Sequence, residues 1–343
     1  MTLPLPSAEP ARRGAARKVW WLLALTALLG CALILSLGFG ARVVALPDVL
    51  GALAGREDTM AEAAVASRMP RSVLAALAGA ALGLAGAGMQ GVTRNPLADP
   101  GILGVNAGAA LAVVIGLATL GLGSLSAYVI AATLGAAVAA VAVYVIASLG
   151  AGGASPLKLA LSGAALSAAL TSLTTAVVLP RGDIAGLMQS WLIGGVGGAT
   201  WGRITPVLPF LAAGALLSLL SARKLNLLAL GEDAAAGLGE TIWAARAMAA
   251  AGAVVLCGAT TAVCGPIGFV GLVVPHLCRQ ILGVDYRWIL PASALVGAVL
   301  LVMADVAGRI VARPGELDVG IVTAFIGAPV FIWIVRRKRV AAL

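Results

Sequence analysis

The sequence predicts an all-α, polytopic membrane protein of about ten transmembrane helices, and three observations carry that prediction. Hydrophobic residues make up 61% of the 343 and charged residues 11%, with a mean hydropathy of +1.05. A soluble domain averages about 25% charged residues, so a water-facing surface of ordinary composition cannot be built. The apolar residues gather in runs of about 17–25, the length at which a helix crosses a hydrocarbon core. The basic residues bracket those runs, with Arg12, Arg13, Arg17 and Lys18 before the first and Arg336, Arg337, Lys338 and Arg339 after the last. Such clusters mark cytoplasmic ends. The formal charge of +9 therefore speaks for topology and against nucleic-acid binding.

Residues 1–18, rich in Pro, Ala and Arg, read as a cytoplasmic tail, 19–335 as the membrane domain and 336–343 as a second cytoplasmic tail. Apolar runs place spans at 19–39, 70–91, 101–119, 126–148, 158–180, 203–221, 242–264, 270–282, 287–308 and 319–335. The first, from Val19 to Phe39, is too long for the apolar core of a signal peptide and leads into further spans, so it is read as a retained helix. Pro70 opens the second span, where its missing N–H costs nothing. The eighth is short and needs packed neighbours or flanking residues to cross. Ten is even, so both termini share one side.

With the N-terminus inside, the loops near Arg94, Lys158, Arg223 and Lys224, and between Arg279 and Arg287, are cytoplasmic. The segments 40–69, 181–202 and 309–318 face outward. Arg42, Arg68, Arg71, Arg309 and Arg313 then lie on the side where arginine is normally scarce. That basic cluster needs a reason, and interfacial snorkelling is one available to it.

Small residues recur at helical spacing, as in Gly79-Ala-Ala-Leu-Gly83. They let helix backbones approach closely in lipid, where packing rather than hydrophobicity drives association. A tightly packed bundle accounts for them. Spans two and seven each lead into a segment interrupted by Pro and Gly, emerging on opposite sides, the pattern of an inverted repeat. Cys31, Cys257, Cys264 and Cys278 lie in apolar runs without a CxxC pair and read as small core residues. His276 is the only histidine, so no multi-histidine metal site can form, and its expected role is structural hydrogen bonding. No pair of intramembrane carboxylates suggests a proton relay. None of the four lysines completes GxxxxGK[ST], so the chain has no phosphate-cradling nest of its own.

Four segments carry the functional reading. Arg68-Met-Pro-Arg71 begins span two, and Ala304-Asp-Val-Ala-Gly-Arg309 ends span nine. Arg94-Asn-Pro-Leu-Ala-Asp-Pro-Gly101 contains two prolines four apart, which force a turn and then permit a helix start. The stretch Leu225 to Gly239 is too polar at Glu232 and Asp233 to span, yet its apolar residues recur at helical spacing, as in a surface amphipathic helix. These segments, with Gly265-Pro-Ile-Gly-Phe-Val-Gly-Leu-Val-Val-Pro-His276, resemble the signature stretches of the FecCD-type permeases over roughly residues 65–335. Those proteins are membrane subunits of ABC importers for iron chelates, haem and cobalamin. The wording around Asn95, and the Phe325-Ile-Gly-Ala-Pro-Val330 ending, most resemble the ferric-siderophore members.

The resemblance implies an ABC type II importer permease fold in a bacterial plasma membrane, no resident cofactor or metal, and no enzymatic activity in this chain. It implies docking of an extracytoplasmic binding protein on Arg68, Arg71 and Arg309, with Asp305 orienting Arg309 from one helical turn away. It assigns the cytoplasmic gate to Asn95, Leu97 and Ser155. It makes the 225–239 stretch a short rigid coupling helix, with Leu227, Leu230, Gly231, Glu232, Ala235, Leu238 and Gly239 meeting two cytoplasmic ATPase subunits. A second permease copy or a paralogue completes the pathway. An ion-coupled carrier working alone is the alternative from another class, and haem or cobalamin is the alternative cargo.

Overall fold

In a computed structural model, residues 9–40, 43–56, 58–96, 98–149 and 156–338 are described, and every regular element among them is helical. In chain order these are α1 (Glu9–Gly38), α2 (Leu46–Leu53), α3 (Met60–Thr93), a 3-10 turn (Pro100–Leu103), α4 (Val105–Leu120), α5 (Leu125–Ser148), α6 (Pro156–Val178), α7 (Gly182–Ile193), α8 (Trp201–Ile204), α9 (Leu208–Leu220), α10 (Ala222–Ala229), α11 (Glu232–Gly237), α12 (Ile242–Cys264), α13 (Val270–Leu282), α14 (Tyr286–Val311) and α15 (Val319–Lys338). Six of them are long and apolar enough to cross a membrane: α1, α3, α5, α6, α12 and α14. The α9–α10 pair, bent by 42°, adds a seventh, and the shorter apolar helices α4, α13 and α15 bring the set to the ten expected.

Helix α3 is the axis of the bundle. It starts ten residues ahead of the expected span because Thr59 and Glu62 form a capping box. The Glu62 N–H donates to Thr59 Oγ1 at 3.1 Å, and the Thr59 N–H donates to Glu62 Oε2 at 3.1 Å. Reciprocal capping of this kind satisfies two orphan donors at a helix start. Pro70 therefore lies inside the helix, correcting its expected place in the first turn.

Lipid offers no hydrophobic drive between helices, so α3 packs by backbone approach. A Cβ on Gly79 would sit 2.2 Å from the Gly297 carbonyl oxygen of α14, and one on Gly83 would sit 2.1 Å from that of Ser293. On its other flanks α3 meets α12 and α13, while α12 also packs on α5 and α9. Of its membrane-crossing stretch, 78% is buried in α3 against 11% in α6. Helices α1, α5 and α6 form the outside of the bundle.

Two polar ends result. At one, Lys18 near the start of α1 sits 5.8 Å from the Trp288 ring near the start of α14, beside α10 and α11. At the other, the end of α1 meets the start of α3 and the end of α14 through Arg309 and Ser36. Helices α2 and α7 lie in segments expected as loops. Both are too short to have stood out as apolar runs.

Candidate functional site

The second end is organised around Asp305. Its carboxylate accepts Nε and Nη2 of Arg71 at 3.0 and 2.8 Å and pairs with Arg309 Nη2 at 2.9 Å. Asp305 is 1% exposed and Arg309 2%, so the pair sits at a depth where an unpartnered charge is costly. The remaining Arg309 donors go to the Ser36 carbonyl at 3.0 Å, the Phe39 carbonyl at 2.9 Å and Ser36 Oγ at 2.7 Å. Ser36 Oγ in turn bonds Ser72 Oγ at 2.7 Å.

The expected i,i+4 pairing of Asp305 with Arg309 is present. Arg309, expected to present its guanidinium to a partner protein, has its donors turned inward, onto the end of α1. Ser36 and Ser72 were not anticipated, since a lone serine in an apolar run carries no signal until its partner is known.

Arg68 and Arg71 are half-buried at the rim of this cluster. Arg68 donates to the Leu37 carbonyl at 3.0 Å, and Arg71 reaches outward to the exposed carboxylate of Glu316. Asp318 stands beside them. Burial pushes its carboxyl above the usual range, with Arg71 opposing and Glu316 and Asp305 adding to the effect. The rim is therefore a mixed patch in which arginines are already matched by acids of the same chain.

The segment expected to form the gate follows α3. Arg94 ends that helix in the left-handed region at φ 51°. Asp99 caps the 3-10 turn by accepting the Gly101 N–H at 2.7 Å, and Gly104, at φ 72°, turns the chain into α4. Thr261 Oγ1 donates to Asn106 Oδ1 at 3.3 Å, tying the start of α4 to α12. Asn95 is half-buried in the turn, and its carbonyl accepts the Ala98 N–H at 3.1 Å. Leu97 and Ser155 lie outside the described residues.

The same depth is reached from the other side by the start of α13. A Cβ on Gly86 would stand 2.1 Å from the Gly271 carbonyl oxygen, and one on Gly271 would stand 2.8 Å from Asp99 Oδ2. Gly86 lies fifteen residues beyond Arg71, roughly 22 Å along α3 at 1.5 Å per residue. Two interrupted segments thus meet deep in the bundle. His276 on α13 bonds Gln280 at 3.0 Å between their Nε2 atoms, a structural role as expected.

At the first end, the 225–239 stretch is not one helix. Gly231, at φ 114°, breaks it into α10 and α11, a conformation that residues with a Cβ rarely adopt. Leu230 and Leu238 are 65% and 63% exposed, whereas Ala235 is fully buried and cannot be a contact for a partner. Leu227 is half-buried and Gly239 exposed. Glu232 pairs with Arg246 at 2.6 Å and Lys224 with Glu240 at 2.5 Å, fixing α11 against the start of α12. Below α10, Asn226 donates to Asp285 Oδ1 at 2.7 Å and accepts the Tyr286 N–H at 2.8 Å. Burial alone would raise the Asp285 carboxyl, but hydrogen bonds from Arg287 and Asn226 hold it down at about 2.

A helical bundle with interrupted segments meeting deep inside it, a charged rim at one end and short surface helices at the other defines a multi-pass membrane permease. The chain belongs to the FecCD transport family, which it matches over residues 27–337. It is 44% identical over 313 residues to the ferric enterobactin transport system permease FepD of Escherichia coli, covering 91% of this chain and 93% of that one. It is 38% identical over 278 residues to the hemin transport system permease HmuU of Yersinia pestis, covering 79% and 82%. Among solved structures it resembles one described as a metal-chelate type ABC transporter in an inward-facing conformation, with a TM-score of 0.78 at 28% identity over 93% of this chain and 99% of that one.

Proposed function

We propose that the chain is the membrane-spanning permease of an ATP-driven importer, moving a ferric-siderophore-type chelate across the bacterial plasma membrane. The observation that carries this is the 44% identity, across nine-tenths of the chain, to a ferric enterobactin permease. ATP hydrolysis belongs to two separate cytoplasmic subunits. Both termini are cytoplasmic on this reading, because Lys18 and the basic residues of α10 and the α13–α14 turn share one end of the bundle.

Each part has a task. An extracytoplasmic binding protein docks on the rim at Arg68 and Arg71, while Asp305 holds Arg71 and the end of α1 holds Arg68. Leu230, Leu238 and the exposed flank of α11 seat in the ATPase subunits. Asn95, with its neighbours in the gate segment, closes the pathway toward the cytoplasm. A second copy or a paralogue covers α6, whose outer face carries Ala165, Ala168, Ser172 and Thr175 in its middle, between Leu161 and Leu179. Small, weakly polar residues on one stripe suit a wide aqueous path better than lipid. The outer face of α5, with Leu134, Val138 and Val141, suits lipid.

Uptake into liposomes tests the assignment, using the permease with its cognate ATPase and binding protein and comparing ferric siderophore, haem and cobalamin. ATP-dependent uptake of the ferric chelate is expected. Preference for haem or cobalamin would change the cargo, and uptake driven by an ion gradient without the ATPase would remove the importer reading. Arg68→Glu should weaken binding-protein affinity while assembly with the ATPase persists. Unchanged affinity would take Arg68 out of the docking site.

A further inference from the structure

Helix α13 is discontinuous in its hydrogen bonding, and another helix repairs it. Pro275 has no N–H, so the carbonyl of Gly271, four residues earlier, has no helical partner. The Nε2 of Gln90, on α3, donates to that carbonyl at 3.1 Å and to the Leu272 carbonyl at 3.3 Å. Gln90 is 2% exposed, and a buried amide of this kind must find partners for both its ends. Its Oε1 finds one in Nη1 of Arg279, one turn from the end of the same α13. Gln90 thus braces α13 above and below the proline.

The bracing continues to the surface. Arg279 Nη2 reaches Tyr286 Oη at 3.4 Å, and its guanidinium lies 5.9 Å from the Tyr286 ring. The Tyr286 N–H and the adjacent Asp285 carboxylate are both held by Asn226 of α10. At the opposite end of α13, Gly271 backs directly on the Asp99 carboxylate of the gate segment. One line of contacts therefore runs from α10, through Asn226, Tyr286, Arg279 and Gln90, to the segment that holds Asn95 and Asp99.

Helix α13 is also the element built to shift. It is bounded by Phe269 at φ 68° and Gly283 at φ 81°, and a bulky residue in the left-handed region is a strained one. Against α3 it presents the bare backbone of Gly271 to Gly86, so at that point the two helices meet without intervening side chains, the kind of contact along which packed helices shear.

We propose that α13 carries displacement of the coupling segment to the gate, with Gln90 and Arg279 as positioning residues that hold it in register with α3. The proposal rests on the importer reading above. Coupling of this kind is carried by an element with two discrete arrangements that both sites bias, and the Gln90–Arg279 bond, made or broken, supplies the two.

The test uses the complete complex in liposomes and measures chelate transported per ATP hydrolysed. Gln90→Met and Arg279→Met should each lower that ratio by roughly 2- to 30-fold, with assembly and hydrolysis retained. The double variant should be no worse than the more severe single one, because both remove one link. A normal ratio in either variant, or losses that multiply in the double one, would overturn the proposal. Should the variants assemble poorly, spin labels at Ser67→Cys and Ile281→Cys in a Cys31→Ser background report on α13 against α3 in otherwise native protein. A distance that changes with ATP supports the relay, and one that stays fixed refutes it. Absence of ATP-dependent uptake by the unmodified complex would instead defeat the importer reading, and the relay with it.

Discussion

Asp305 serves two arginines at once, and that sharing gives the residue scale its sharpest consequence. Removing one member of a buried ionic group leaves the others uncompensated, at a cost of about 3–5 kcal/mol. Asp305→Asn should therefore lower the melting temperature of the purified permease substantially, and Arg309→Glu should do the same instead of acting on receptor affinity alone. A melting temperature unchanged by Asp305→Asn would show the cluster to be solvated and dispensable. At the other end, Asp285 is depressed from its ordinary 3.8 to about 2. A depressed acid contributes stability that is fully present above its unfolded value and is lost as pH falls through the folded one. The gap in melting temperature between the native protein and Asp285→Asn should stay constant from pH 5 to 8 and close between about pH 4 and 2. A gap that varies between pH 5 and 8 would mean that another group controls the junction. The arginines were visible in the sequence because they break the charge rule; their partners Ser36 and Glu316 were not, because pairing over more than 200 residues of chain leaves no local mark.

At the scale of elements, the apolar runs anticipated α12 and α13 to the residue and most other spans closely; membrane thickness sets the length of the full crossings, and flanking Gly and Pro bound the shorter α13. The departures have local causes. A capping box lengthened α3, Gly231 divided the 225–239 stretch, and α2 and α7 were too short to stand out. The close pairing of α3 with α14 was implied by the spacing of Gly79 and Gly83, although the sequence does not say which helix they meet. Gly83→Leu drives a side chain into the Ser293 carbonyl and should cost about 1–3 kcal/mol or more, read as a fall in melting temperature in detergent. An unaltered melt would mean that the helices can separate there without loss.

For the whole molecule, the division between buried and uncovered helices matters more than their number. Helix α6 keeps most of its surface outside the bundle, and its small polar stripe differs from the aliphatic face of α5. Thr175→Cys in the assembled importer should react with a water-soluble maleimide, while Leu134→Cys should stay protected by lipid. Equal protection of both would show that α6 faces the bilayer and that the pathway lies elsewhere.

Composition and run length by themselves determined that this chain is a helical membrane protein, which ends carry its positive charge and which segments are interrupted, because each follows from the bilayer as solvent. Its motifs also placed it among the permeases. Only the tertiary structure decided that Arg309 points inward, that Gln90 repairs the helix broken by Pro275, and that the segment around Asp99 rests against α13. Those facts depend on groups distant in sequence meeting in space, and a buried polar atom reveals its purpose only when its partner is in view.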